Sequence, residues 1–182
     1  TQIDDGVALL AIDFQHATTA FPSAVDMAGV VANARRLADG FRDRGKTVVL
    51  TRADLNALPP GRADYASPGH EVPLAALDLV PELGQVDSDL VLDKTGWGAF
   101  AHTSLEELLA ERGITQLVLC GLATNFGVES TAREAYDLGY HVTIATDAVN
   151  SPVPPGHDYA LTSVFPVLAQ TGTTDEILAA LA

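Results

Sequence analysis

Cysteine is nearly absent. Cys120 stands alone among 182 residues, so the chain can close no internal disulfide and build no cysteine-rich zinc site. Positive charge is scarce too: 10 Lys and Arg face 24 Asp and Glu, a formal charge of −14 whose field repels phosphate backbones and anionic lipid. Nucleic acid and membrane surfaces are therefore poor partners, and a small molecule is the better one. No apolar run approaches the ~20 residues of a membrane-spanning helix. The start, Thr1 to Gly6, has neither the basic nor the apolar stretch of a signal peptide. With the lone thiol, this points to a cytoplasmic protein. The chain also lacks a Walker loop and a G-x-S-x-G elbow. His16, His70, His102, His141 and His157 show no metal-ligand spacing and read as loop or capping residues, so no cofactor or metal is expected.

What is present is the profile of a folded globular chain, 47% hydrophobic and 19% charged. Its length predicts one domain, 1–182. Short runs rich in Val, Ile and Leu predict buried strands at Val7–Ile12, Thr47–Leu50, Leu90–Leu92, Leu117–Cys120 and Val142–Ala145. Helical spacing lies between most of them. One helix is predicted from about Asp26 to Arg44, stopped by Gly45, and a second after a capping box at Thr103-Ser-Leu-Glu106, stopped by Gly113. A third spans Gly127 to Leu138, a fourth runs from about Gly156 to Leu168, and the run 173–176 caps a short last one. Alternating strands and helices predict an α/β fold: a three-layer α/β/α sandwich on a mainly parallel, Rossmann-like sheet.

The periodic pattern breaks after Leu50. Pro59, Pro60, Gly61, Pro68, Gly69, Pro73, Pro81 and Gly84 are scattered through the stretch before the third strand. So long a break inside a compact domain is usually a lid or a binding loop.

In parallel sheets of this kind, ligands bind beyond the carboxyl ends of the strands. Three features lie directly after predicted strands: Asp13, Lys94, and the run Ala123-Thr-Asn-Phe-Gly127. Far apart in sequence, they should converge at one end of the sheet. Asp13 alone equally fits a loop-capping carboxylate, and Lys94 alone a solvated charge; as a pair each would tune the other. The turn 121–127 leads into a helix, whose first N–H groups favour an anion or a developing oxyanion, although a plain cap by Thr124 or Asn125 fits as well. Trp97 and Phe100 could wall a pocket or pack in the core.

The residues around these positions carry a resemblance. Asp13 in Ile-Asp-Phe-Gln, Lys94 in Lys-Thr-Gly-Trp-Gly-Ala-Phe, and Gly-Leu-Ala-Thr-Asn-Phe-Gly-Val-Glu-Ser-Thr-Ala-Arg-Glu-Ala-Tyr over 121–136 together resemble the isochorismatase-like (cysteine) hydrolase superfamily. In the thiol-dependent branch an Asp, a Lys and a Cys form the catalytic set, and the Cys would fall where this chain has Gly127. Without a thiol no thioester can form. Cys120, in an apolar strand, does not substitute. The family's isochorismatases likewise have glycine there and release pyruvate from a vinyl ether by protonation, which needs no nucleophile.

By this resemblance Asp13 is the acid and Lys94 its electrostatic partner. Gly127 leaves room for the substrate and offers its N–H to a carboxylate. Gln15, Phe21, Arg62, Trp97, Ala123, Thr124 and Val128 complete the implied substrate site. Thiol-independent amide or imide hydrolysis, and a ligand-binding relative without catalysis, are the alternatives. Lys94 should lower the pKa of Asp13, whereas an acid near neutral pH needs it raised. A dianionic substrate also needs cations, for which Arg52 and Arg62 are available. Where isochorismatases resemble one another in a Gln after the second strand and an Arg nine residues on, this chain has Ala53 and Arg62. Relatives of this kind are often oligomeric, which implies a homo-oligomer.

Overall fold

The structure, a computed structural model, describes residues 1–58, 62, 64 and 71–181. Of the positions singled out above, Pro59, Pro60, Gly61, Pro68, Gly69 and His70 lie outside these. Six strands form one sheet: β1 (Val7–Ile12), β2 (Thr47–Ala53), β3 (Leu90–Lys94), β4 (Gln116–Leu122), β5 (His141–Asn150) and β6 (Gln170–Gly172). Their order is β3-β2-β1-β4-β5-β6 and every pairing is parallel. The order reverses between β1 and β4, and that switch point is where a crevice opens at the carboxyl edge.

The helices are α1 (His16–Thr19), α2 (Met27–Arg42), α3 (Leu105–Glu111), α4 (Glu129–Asp137), α5 (Pro154–Tyr159), α6 (Phe165–Leu168) and α7 (Thr174–Ala180). Side chains of β1 alternate between two cores. Leu9 and Ala11 pack with Leu37, Phe41 and Ile177 from α2 and α7 on one face, while Leu10 and Ile12 pack with Leu109, Ala132 and Phe165 on the other. These are the three layers that the alternating pattern predicts.

Local chemistry accounts for most boundaries. The Asp26 side chain accepts from the N–H groups of Ala28 and Gly29 to open α2, and Gly45, at φ 65°, turns the chain out of it. Thr173 and Glu176 form the capping box of α7. The box expected at Thr103–Glu106 does not form. Helix α3 begins at Leu105, and the Thr103 hydroxyl donates to the Ala99 carbonyl at 2.6 Å while accepting from Leu105 N–H. The helix expected from Gly156 to Leu168 is irregular: it starts at Pro154, and its middle, Ala160–Val164, widens to a π turn just before Pro166, which has no N–H to continue the ladder. The stretch after β2 holds only two 3₁₀ turns, Leu74–Leu77 and Pro81–Leu83, among its described residues.

Candidate active site

Asp13 is the first residue beyond β1. Its φ of 55° is the left-handed region, which Asp tolerates better than most side chains. The conformation is held from both sides. Its N–H bonds to the Thr51 carbonyl at 3.2 Å, and its own carbonyl accepts from Gln15 N–H and from the Thr18 hydroxyl. This turns the carboxylate into the crevice. There Oδ1 accepts from the Thr51 hydroxyl at 2.7 Å and Oδ2 lies 2.7 Å from Lys94 Nζ.

Lys94, the last residue of β3, is 2% exposed. Its ammonium also donates to the carbonyls of Gly96 and Trp97, each at 3.0 Å. The loop carrying those carbonyls is tied down from α4. Thr131 accepts from Ala99 N–H at 3.1 Å and donates to the Gly127 carbonyl at 2.7 Å, while Glu134 accepts from Phe100 N–H at 3.1 Å. Thr131 and Glu134 are three apart and share a helix face. Burial pushes the Asp13 carboxyl above its usual range; Lys94 and then Thr51 pull it back, and burial wins. The tension noted in the sequence therefore resolves toward a raised carboxyl.

The chain leaves β4 through a cis Leu122–Ala123 peptide and a π turn over Thr124–Val128 before α4. Two glycines allow this approach. A Cβ on Gly121 would stand 2.2 Å from the Ile12 carbonyl oxygen, so any side chain there would force β1 and β4 apart. A Cβ on Gly127 would stand 2.9 Å from the Leu122 carbonyl and 3.5 Å from Asp13 Oδ2. Gly127 thus brings the turn close beside the acid, where no side chain fits.

The acid and Gly127 both line a cavity of about 260 Å³. Asp13 and Lys94 are its charged groups, and Thr18, Phe21, Met27, Leu55, Trp97, Phe126, Gly127 and Ser151 are among its walls. Trp97 meets Phe126 edge to face with ring centroids 5.0 Å apart.

Residues 7–176 match the isochorismatase domain. The chain belongs to the isochorismatase family. It is 40% identical over 177 residues, 94% of this chain and 92% of the other, to the uncharacterized isochorismatase family protein YwoC of Bacillus subtilis. It is 30% identical to the ureidoacrylate amidohydrolase RutB of Cronobacter sakazakii, over 81% of this chain and 76% of that one. An isochorismatase family protein of Burkholderia thailandensis superposes with a TM-score of 0.94 at 37% identity, covering 99% of this chain and 97% of the other. Relatives with a hydrolase name make this isochorismatase-family chain a hydrolase; they leave its substrate open.

Of the residues that the sequence assigns to the site, Asp13, Lys94, Phe21, Trp97, Ala123 and Gly127 line this cavity together. Four do not. Gln15 is buried, and its amide is spent on the Ala53 N–H and carbonyl and on the Leu77 carbonyl, stitching the first and second crossovers together. Thr124 is buried with its hydroxyl 2.8 Å from His157 Nδ1. Val128 sits in the apolar core with its N–H on the Ala123 carbonyl. Arg62 is exposed and is not among the lining residues. Arg52 is also no ligand for an anion: strand alternation puts it opposite Thr51 and Ala53, where its guanidinium grips both oxygens of Asp93 at 2.7 and 3.0 Å.

Sequence reasoning missed Thr51, because the second strand appeared to end at Leu50, and it missed the tethers Thr131 and Glu134. Their signal was present in the 121–136 run, as two polar residues at helical spacing on the side of α4 that packs inward. His157 is buried too, which lowers its pKa and keeps its ring neutral. Among the described residues no group of three or more His, Cys, Asp or Glu is arranged to hold a metal ion.

Proposed function

We propose that this isochorismatase-family hydrolase cleaves a vinyl ether of the isochorismate type without cofactor or thiol. Asp13 is the proton donor and Lys94 the partner of its carboxylate. The observation that carries this reading is the buried Asp13 carboxyl facing the cavity with Lys94 Nζ 2.7 Å from Oδ2, where burial pushes its pKa up. A carboxyl raised by burial keeps its proton to higher pH than a free one and can act as a general acid.

The steps balance with these residues alone. Asp13 gives its proton to the terminal CH₂ carbon, which becomes a methyl group, and the ether carbon becomes an oxocarbenium. Lys94 and Thr51 stabilise the carboxylate as it forms. Water bonds to the cationic carbon and returns a proton to Asp13. The hemiketal then breaks its C–O bond to the ring, the ring oxygen takes a proton, and an alcohol and a ketone, pyruvate in the case of isochorismate, depart. The cavity that Asp13 and Gly127 both line is where the CH₂ group would stand.

The test follows pyruvate from isochorismate, and methyl pyruvate from its dimethyl ester, by proton NMR, with Asp13→Asn as control. Turnover of either compound that is lost in the variant supports the reading. No turnover at high enzyme concentration, or equal rates in the variant, overturns it. The amidohydrolase name of one relative favours a second reading, amide or imide hydrolysis with Asp13 as base toward water. Ammonia release from amides would reveal it, while tight binding without any turnover would mark a binding protein. The proposal also takes the chain as one cytoplasmic domain that forms a homo-oligomer. Its supports are the single, buried thiol and the prevalence of closed symmetric assemblies among soluble enzymes; light scattering reads the assembly.

A further inference from the structure

We infer that the ligand of this cavity is uncharged where it enters, and that a dicarboxylate is selected against. The inference rests on the same site as the function proposed above, and it narrows the substrate class.

Three observations carry it. First, the cavity has one cation, Lys94, and that cation has nothing left to give. An ammonium has three N–H donors. The three contacts of Nζ are Asp13 Oδ2 at 2.7 Å and the carbonyls of Gly96 and Trp97 at 3.0 Å. A substrate carboxylate would have to displace one of them.

Second, no other cation is in place. Arg35, Arg36, Arg42, Arg52 and Arg133 each hold a carboxylate at 2.5 to 2.9 Å. Arg44, Lys46 and Arg112 donate to backbone carbonyls, and none of these eight lines the cavity. Residues 59–61, 63, 65–70 and 182 contain no Lys or Arg at all. Arg62 is the remaining one, exposed and off the lining.

Third, the rest of the wall is mostly apolar, and its other polar side chains, Thr18 and Ser151, are neutral. Phe21, Met27, Leu55, Leu58, Trp97 and Phe126 surround the volume, and the whole chain carries −14. A carboxylate entering here loses its water and meets no free cation, while a neutral ring loses little and gains contact.

The experiment uses binding, so it stands apart from turnover. Trp97 is the only tryptophan and lines the cavity, so its fluorescence reads occupancy. The probes are benzamide, benzoate and isophthalate, three similar rings carrying zero, one and two negative charges, titrated near neutral pH at low and high salt. Trp97→Phe is the control for the signal. The expected result is about tenfold weaker binding for each added carboxylate, little effect of salt on benzamide, and no change in any affinity in Arg62→Ala.

Isophthalate binding as tightly as benzamide would overturn the inference. So would anion binding that salt or Arg62→Ala abolishes, or a failure of benzamide to perturb Trp97 at millimolar concentration. The two proposals separate cleanly. Benzamide binding with no vinyl ether cleaved sinks the function and leaves this inference standing. Isochorismate cleaved as readily as its dimethyl ester sinks this inference and leaves the function standing.

Discussion

Replacing Lys94 by methionine keeps the length of a side chain that is 2% exposed and removes its charge. The Asp13 carboxylate then loses its cation, and the carbonyls of Gly96 and Trp97 lose their donor. Breaking a buried pair from one side costs about 3–5 kcal/mol, a large part of the ~5–15 kcal/mol that holds a domain together. The carboxyl has one escape, which is to keep its proton. Burial already raises Asp13 above its ordinary 3.8, and Lys94 is the largest influence pulling the other way, so Lys94→Met lifts it further.

The sign of the pH dependence follows. Below the unfolded pKa the carboxyl is protonated in both states and burial of charge costs nothing. As pH rises toward the folded pKa, the unfolded chain gains by ionising while the folded one cannot, and stability is lost at about 1.4 kcal/mol per pH unit. Lys94→Met should therefore be damaged least near about pH 5 and most near about pH 8, with the full ~3–5 kcal/mol appearing only at the upper value. His157, whose pKa is lowered, weakens both proteins alike as pH falls below its ordinary 6.5, so it cancels in the difference. Urea denaturation followed by far-UV circular dichroism at the two pH values measures this. Adding Asp13→Asn to the same variant should restore much of the loss at the higher pH, because a neutral amide is easier to bury. An equal loss at both pH values, with no recovery in the double variant, would refute the coupling and with it the account of Asp13 as a carboxyl poised by burial against Lys94.

If Asp13 is the acid, kcat/KM falls as pH rises through its raised pKa; activity that instead appears above that pKa would assign it as a base and favour amide hydrolysis. Thr131→Val breaks the bonds to Ala99 and Gly127 and should lower kcat about tenfold, consistent with ~1–3 kcal/mol for unsatisfied buried partners, with KM little changed. Thr131→Ser should recover most of it, and failure to do so would remove the hydroxyl from the explanation. Gly127→Ala places a methyl group 2.9 Å from the Leu122 carbonyl, so a loss of about 1–3 kcal/mol in urea titration and a fall in turnover are expected together. The Cys120 thiol, fully buried and pushed far up by that burial, should ignore Ellman's reagent until the protein is unfolded, and alkylating agents should leave turnover unchanged.

The layers were legible because hydrophobic periodicity reports burial directly. Buried parallel strands read as continuous apolar runs, and the five longest were found within five residues of their ends, β1 at both ends. Strand β6, Gln170–Gly172, has no apolar residue and is held by pairing with β5 alone, so periodicity could not find it. The carboxyl half of β5 escaped for a related reason: Thr146 and Asp147 interrupt the apolar run where the register against β4 shifts. Asp13, Lys94 and Gly127 were identifiable because residues at or just beyond the carboxyl ends of strands in one parallel sheet gather at the same edge.

Direction was harder than position. Gln15 and Thr124 sit one or two residues from cavity-lining positions, yet their side chains satisfy backbone and His157 in place of a ligand. The sequence alone determined that the chain folds as a parallel α/β sandwich, and it placed an acid, a cation and a turn ending in glycine at one edge of the sheet. Only the tertiary structure decided whether Lys94 or burial governs Asp13, and that the last cation at the cavity is fully engaged. Both depend on distances between groups contributed by different strands and on exclusion of water, and neither is a property of any single segment.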